Sequence, residues 1–326
     1  MIALGIEGTA HTLGVAVVDQ DCRVLSNLID MHRPPVGGIH PREAANHHAE
    51  VAPGLIHAAL EKAGVRPSEL ELVAFSQGPG LGPCLRTAAT AARALALKFE
   101  LPLVGVNHCV AHIEIGRAVC GCEDPVMLYA SGGNTQVVSY LEGRYRVFGE
   151  TLDIGVGNML DKFGLSVGMS FPCGPEIERR ASGGERLLEL PYSVKGMDVA
   201  FSGMITAAQR LLEKGAKMED LCFSIQETAF AMLIEVAERA MAHLEKQELL
   251  LAGGVACNRR LQEMAEIMTR ERGARSFAPP RELCIDNGAM IAWTGLLMFR
   301  AGNRTPLEKS AVDQRQRTDQ VEVTWR

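Results

Sequence analysis

One pattern occurs twice in this chain, and that repetition limits the fold more than any other feature. It consists of a strand, a turn carrying glycine and polar residues, a second strand, a short turn and a third strand. The first set runs Ile2-Ala-Leu-Gly-Ile-Glu7, the turn Gly8-Thr9-Ala10-His11-Thr12, Leu13 to Asp19, the turn Gln20-Asp21, and Arg23 to Ile29. The second runs Val126 to Ala130, the turn Ser131-Gly132-Gly133-Asn134-Thr135, Gln136 to Leu141, the turn Glu142-Gly143, and Arg144 to Thr151. Short apolar runs bounded by such turns read as an antiparallel meander. The match is one of pattern and not of residue identity. At 326 residues the chain is long enough for two domains or two lobes.

Between and after the meanders the periodicity changes. Arg42 to Ala63 has helical spacing and stops at Gly64, Leu70 to Ser76 reads as a strand, and the cluster Gln77 to Pro83 leads into an alanine-rich helix through Lys98. Leu101 to Val106 is a further strand, and a helix starts at His108. Residues 156–246 read as helix-rich, Leu249 to Ala252 as a strand, Gly253-Gly254 as the opening of a helix, and Asn287 as the start of the last one. The polar tail after Gly302 is expected to wrap or fray.

Composition excludes several classes. The chain is 47% hydrophobic and 22% charged, so it is not disordered. Its net charge of −6 lacks the basic excess of a stand-alone nucleic-acid binder, so any such partner must meet a local patch or a helper subunit. Nine scattered cysteines with no CxxC pair fit thiols in a reducing cytoplasm. No signal peptide opens the chain, and the apolar stretch Ala289 to Phe299 is too short to span a bilayer. A soluble cytoplasmic protein without a membrane partner is expected.

His108-Cys-Val-Ala-His112 places two imidazoles on one helix face, where they can share a metal ion or stand as two polar side chains. The zincin motif is excluded, because Cys109 follows His108 where that motif has its catalytic glutamate. Asp286, in Cys284-Ile-Asp-Asn-Gly288, is the best further ligand, and it is equally placed to be a helix N-cap. Two histidines and a carboxylate suit Fe(II) or Zn(II). The turns at Gly8 and Ser131 can cradle phosphate, and Gly253-Gly-Val-Ala-Cys-Asn258 lies where a helix N-terminus faces a nucleotide. Pro83 breaks the dinucleotide fingerprint at Gly78-Pro-Gly-Leu-Gly82, and no GxxxxGK[ST] is present.

Two lobes with paired phosphate turns resemble the actin, hexokinase and Hsp70 (ASKHA) nucleotide-binding fold. Within it, the following segments resemble the tRNA N(6)-threonylcarbamoyladenosine transferase family, in its archaeal and eukaryotic branch: Gly5 to Thr12, His108 to Gly116, Ser131 to Gln136, Glu150 to Phe163, Phe201-Ser-Gly203, Ser224 to Phe230, Gly253 to Asn258 and Asp286-Asn-Gly288. The resemblance covers nearly the whole chain. It implies an α/β fold of two lobes, residues 1–107 plus about 295–326 and residues 108–294, with a helical insertion at about 156–246. It implies transfer of a threonylcarbamoyl group from threonylcarbamoyl-AMP to the adenosine next to the anticodon, with release of AMP. It implies one Fe(II) or Zn(II) ion held by His108, His112, Tyr129 and Asp286. Ser131, Gly132 and Gly133 would hold phosphate, and Asp161, Gly174, Glu178 and Asn258 would line the ribose and adenine, a site that ATP, ADP or AMP analogues would also fit. Thr9 of the first turn joins them as a nucleotide-binding candidate.

No residue declares itself a general base; Glu7 and His11, near the first turn, are candidates. Cys173 and Cys257 stand where the family more usually has small or apolar residues, and both changes are modest in size. In this branch the implied partners are tRNA, a small kinase or ATPase subunit and small accessory subunits of the KEOPS complex. Three rivals are weighed against this reading. A metallopeptidase, the family's older label, lacks the adjacent glutamate; a small-molecule kinase on the same fold has no use for two histidines; an actin-like assembly protein would show nucleotide-dependent sedimentation.

Overall fold

A computed structural model describes residues 1–34 and 37–326. The first meander forms β1 (Ile2–Glu7), β2 (Thr12–Asp19) and β3 (Val24–Met31), followed by α1 (Pro41–Ala63), β4 (Leu72–Gly78), α2 (Gly82–Phe99), β5 (Leu103–Asn107) and α3 (His108–Cys120). The second forms β6 (Val126–Ala130), β7 (Thr135–Leu141) and β8 (Arg144–Glu150). Then come α4 (Val156–Ser166), α5 (Gly174–Ala181), the two-residue strands β9 (Val194–Lys195) and β10 (Asp198–Val199), α6 (Ser202–Glu213) and α7 (Met218–His243). The chain ends with β11 (Glu248–Ala252), α8 (Arg259–Glu271), β12 (Arg275–Phe277), the short α9 (Arg281–Cys284), α10 (Gly288–Arg300) and a tail.

The two five-stranded sheets have one topology. The first runs β3-β2-β1-β4-β5 and the second β8-β7-β6-β11-β12. In each, the three meander strands are antiparallel and the two added strands parallel. Even the irregularity repeats: the register shifts between Val17 and Val18 in one and between Val137 and Val138 in the other. The duplication seen as a sequence pattern is therefore a duplication of fold.

Strand alternation decides what covers each face of the first sheet. Leu4, Ile6, Leu13, Val15 and Val17 point to one side and pack with Ala88, Ala89 and Ala92 of α2. Ala3 and Ala16 point to the other side, against α10. Small residues there let the helix backbone come close. A Cβ at Gly5 would lie 2.2 Å from the Gly288 carbonyl oxygen and 2.4 Å from the Ala292 nitrogen. One at Gly288 would lie 2.5 Å from the Ala16 nitrogen. Because α10 sits on this sheet from its first residue, we draw the chain's return to the first lobe at Gly288. The second sheet packs Leu128, Ala130 and Val137 against α4 and α7, and Tyr129, Val138 and Leu250 against α3.

Two features departed from the sequence expectation. Gly253-Gly254 opens a single tight turn, Gly254–Cys257, and the helix proper starts at Arg259. β12 and the β9–β10 pair were not foreseen. Of the two outcomes expected for the tail, wrapping or fraying, the structure shows wrapping: Thr305 N–H donates to Leu103, Gln77 donates to the Lys309 and Ala311 carbonyls, and Val323 N–H donates to Gly143 in the other lobe.

Asp153, between β8 and α4, accepts the backbone N–H groups of Phe201 and Ser202 at the start of α6, at 2.9 and 2.8 Å. Partial burial pushes its pKa up, but these hydrogen bonds win and bring it down to about 2. A lowered carboxylate stabilises the fold fully above its unfolded pKa of about 3.9, and the contribution is lost as pH falls through about 2. Asp153 is exposed, which keeps the effect to about 1 kcal/mol. Asp153→Asn is expected to lower urea stability at pH 7 by that amount and by progressively less below pH ~4. Gly288→Ala meets backbone on all sides and is expected to cost about 3 kcal/mol in the same measurement. Unchanged midpoints would refute either account.

Candidate metal centre and nucleotide cleft

Parallel strands end at the crevice between the lobes, and the chemistry-bearing residues sit at those ends. β5 stops at Asn107 and α3 starts one residue later, so His108 is fixed at the mouth of the first sheet. Asn107 caps the helix, its side-chain oxygen accepting from Cys109 and Val110 at 3.0 and 3.1 Å. His112 follows one turn down. On the opposite side Asn287, not Asp286, caps α10, accepting from Met290 at 3.0 Å and donating to Leu283 and Ile285. That removes the alternative role for Asp286, whose carboxylate turns toward the histidines.

The result is a compact donor cluster. The Asp286 Oδ1 lies 3.4 Å from His108 Nε2 and 3.3 Å from His112 Nε2. The Tyr129 hydroxyl, from the end of β6, lies 2.9 Å from His108 Nε2. Behind them the buried Glu7 carboxylate at the end of β1 lies 3.2 Å from His108 Nδ1. Glu7 also accepts the N–H and hydroxyl of Thr9.

Charge in this cluster is strongly coupled. Burial pushes the Asp286 pKa up, but the adjacent imidazoles win and hold it well below the usual carboxylate range. Burial pushes His108 down, but Tyr129, Glu7 and Asp286 raise it well above an ordinary histidine. His112 is lowered by burial despite its bond to Asp286, and burial raises the Tyr129 phenol.

These residues offer a donor set of the right chemistry for a divalent metal, with one ligand atom each of His108, His112 and Asp286 within 4.8 Å of one another. Ligands about 2.0–2.1 Å from an ion stand about 3.3 Å apart along a tetrahedral edge, and the contacts of Asp286 with the two imidazoles, 3.3 and 3.4 Å, match that spacing. With a metal in place of its Nε2 proton, His108 would keep the Nδ1 proton that faces Glu7, the usual carboxylate support for a metal-bound imidazole.

A cavity of about 520 Å³ opens over this cluster. His108, Tyr129 and Asp286 form part of its wall, and Ser131, Gly132 and Gly133 form another. The latter turn is held by α4: Gly157 N–H donates to the Ser131 carbonyl and Asn158 N–H to that of Gly132, both at 3.0 Å. A Cβ at Gly157 would lie 2.8 Å from Gly132 Cα, so glycine is needed for that approach. Among the described residues the N–H groups of Gly132 and Gly133 have no partner in the chain, and they are free for an anion.

The other expected residues divide. Thr9, His11 and Asp161 line the same cavity. The Thr9 donors are both engaged by Glu7, so Thr9 shapes the wall without free donors. Asp161 Oδ1 accepts the Cys173 N–H at 2.7 Å, and burial raises its pKa. Glu178 lines a different cavity, of about 960 Å³, with Gln226 and Cys257. It accepts the Arg259 N–H at 2.8 Å, and Asn258 caps the same helix, accepting from Arg260 and Leu261. Gly174 opens α5 and lines neither cavity. Sequence reasoning missed Asn158, Phe171 and Gln314 in the central wall. Gln314 belongs to the polar tail, which carries no periodic signal.

The metal-ligand reading makes a direct prediction about Glu7. Glu7→Gln is expected to weaken Zn(II) or Fe(II) binding by about 10–100-fold, measured as metal retained after graded chelation. Retention equal to the parent chain would remove Glu7 from the support of the site.

Similarity to known proteins agrees with this geometry. The family model described as TsaD, tRNA N6-adenosine threonylcarbamoyltransferase, matches residues 22–293. Proteins named tRNA N6-adenosine threonylcarbamoyltransferase from Thermococcus kodakarensis and Archaeoglobus fulgidus are each 58% identical, with both chains covered in full. A probable bifunctional tRNA threonylcarbamoyladenosine biosynthesis protein from Methanothermobacter thermautotrophicus is 58% identical, and the chain spans 61% of its length. Among solved structures, HypF of T. kodakarensis superposes with a TM-score of 0.65 at 15% identity, over 92% of this chain and 48% of that one. Component A of the Acidaminococcus fermentans (R)-2-hydroxyglutaryl-CoA dehydratase gives 0.60 at 12%, over 91% and 98%. At such identities these two speak for the fold alone, the two-lobed ASKHA architecture. With that fold, the two-histidine centre and full-length identity well above half, the chain belongs to the tRNA N6-adenosine threonylcarbamoyltransferase family.

Proposed function

We propose that this chain transfers the threonylcarbamoyl group of threonylcarbamoyl-AMP to the exocyclic amine of the adenosine beside the anticodon, in tRNAs that read A-starting codons. The observation that carries the reading is one cavity lined both by His108, Tyr129 and Asp286, with His112 buried behind them, and by Gly132 and Gly133, whose N–H groups have no partner among the described residues. Membership of the family supports it. A peptidase has no use for the anion turn. A small-molecule kinase has no use for the buried histidines.

In the reaction the amine nitrogen bonds to the carbamoyl carbon, the bond from that carbon to the phosphate oxygen breaks, and AMP leaves with the electron pair. Gly132 and Gly133 would hold the phosphate through backbone N–H groups that carry no side chain in the way. Asp161, on α4 in the same wall, would accept from a ribose hydroxyl. Glu178, on α5, and Asn258, the cap of α8, would bear on the adenine through the position of α8. His108, His112, Asp286 and Tyr129 would hold Fe(II) or Zn(II), which when bound supplies a Lewis acid beside the donor's oxygens. The amine's surplus proton needs an acceptor. His11 lines the cavity, and burial lowers its pKa, so its imidazole is neutral at pH 7 and able to receive it. Glu7 is committed to His108 and Thr9, which leaves it as a support.

The net charge of −6 favours an acceptor tRNA held jointly with partners, a small kinase or ATPase subunit and small accessory subunits of a KEOPS-type complex in the cytoplasm. The bifunctional relative, which extends well beyond the length of this chain, is consistent with a fused partner. No helix among the described residues is long and apolar enough to cross a membrane.

The test is transfer itself. Metal-loaded chain, threonylcarbamoyl-AMP, unmodified tRNA and the accessory subunits are incubated, and digested nucleosides are analysed by mass spectrometry. The modified adenosine is expected from the parent chain, with at least about a hundredfold loss in His108→Ala/His112→Ala alongside loss of bound metal. Full transfer by the metal-free double variant would sink the role of the centre.

A further inference from the structure

A second, smaller cavity of about 200 Å³ adjoins the first, sharing Pro79, Asn134 and Gln314 with its wall. Most of its remaining lining is polar and comes from the tail, Arg315, Gln316, Arg317 and Thr318, with Gln136 of β7, Cys109 and Val147 completing the wall. This stretch of tail is fixed at the lobe boundary. Asp313 N–H donates to the Gln77 carbonyl at 2.9 Å, Gly80 N–H donates to that of Gln314 at 3.3 Å, and Asn107 Nδ2 donates to Gln316 Oε1 at 3.3 Å. A Cβ on Gly78 would collide with the Asp313 carbonyl, so the strap lies directly on the β4 backbone.

The charges here are unequal. Arg317 is paired with Asp319 through two contacts of 3.1 Å and also faces Glu150. Asp313 spends its carboxylate on the Arg315 backbone N–H at 2.9 Å. The Arg315 guanidinium is exposed and, among the described residues, has no acidic partner. Across the cavity Gln136 gives its amine to Glu150 at 3.3 Å, while its Oε1 is buried without a partner. An unpaired guanidinium and an unfilled acceptor on either side of a small polar cavity match a phosphate and its neighbouring ribose hydroxyl.

We propose that this cavity is a ribose-phosphate subsite that holds the acceptor RNA's backbone beside the target adenosine, with Arg315 as its phosphate contact and Gln136 as its hydroxyl contact. The inference rests on the transferase reading above. It adds one local phosphate contact beside the reaction cavity, while the net charge of −6 leaves most of the RNA's charge to the partner subunits. The same chemistry is offered by the phosphate of the nucleotide donor, and the experiment separates the two.

The full chain, reconstituted with its accessory subunits, is titrated with tRNA over a salt series and separately with AMP. Arg315→Ala is expected to raise the tRNA Kd about tenfold and to flatten its dependence on salt by about one unit of log–log slope. Bound metal and AMP affinity are expected to stay at parent values, and Arg315→Lys to recover most of the salt slope. An Arg315→Ala chain with the parent Kd and slope overturns the subsite while parent transfer persists. Weakened AMP binding overturns the acceptor assignment in favour of the donor phosphate. A parent complex that binds no tRNA and makes no modified adenosine overturns the transferase reading and the subsite together.

Discussion

Three buried ionisable side chains, Glu7, His108 and His112, and the partly exposed Asp286 lie within a few ångströms of one another, and the rest of the architecture serves that arrangement. A charge buried alone is costly, and removing one partner from such a set costs about 3–5 kcal/mol. Their mutual contacts are why Asp286 stays ionised and His108 holds its proton so firmly, while His112 Nδ1 is left without a partner among the described residues. The four come from three distant stretches of chain. β1 brings Glu7, the junction of β5 and α3 brings both histidines, and the turn before α10 brings Asp286. Asn107 and Asn287 cap the two helices so that these side chains point inward. The glycine contacts between β1, β2 and α10 set how closely the third stretch can approach the first.

Much of this was legible before the coordinates. The two meanders announced two lobes because alternating strands and glycine turns leave a period that needs no alignment to see. His108 and His112 stood out because four residues on a helix make one face. What stayed hidden has physical reasons. β12 has three residues, and β9 and β10 two each, too short for any period to register. Whether Asp286 or Asn287 caps α10 turns on one residue of register, since both side chains can do it. The tail's hydrogen bonds run to partners hundreds of positions away, so its polar sequence gave no clue to its docking. The separation of Glu178 from the central wall follows from the α5 helix that carries it facing the start of α8, a contact that local pattern cannot place.

The cleft divides labour between its two sides. One side is all side chain, rigid and charged. The other is backbone, a glycine turn pinned to the N-terminus of α4 by two hydrogen bonds. Backbone donors suit a phosphate that must be gripped and then released, because they bring neither a formal charge nor a flexible side chain. The strap of residues 313–318 closes one end of this arrangement from the lobe boundary, which makes the extreme C-terminal region part of the wall and not an appendage.

The seating of α10 on β1 bears on how the protein comes into being. Gly5 and the helix that covers it, packed against it through Gly288 and Ala292, are separated in the chain by the whole of the second lobe, so the strand is made long before its cover. The first lobe therefore waits, one face of its sheet uncovered, while the second lobe is translated. Asp286 emerges just ahead of that helix, so the centre cannot assemble before the second lobe has been made. Throughout that interval the nascent chain carries an exposed apolar sheet face. Stalling before Asp286 would leave the sheet uncovered and the centre incomplete at once.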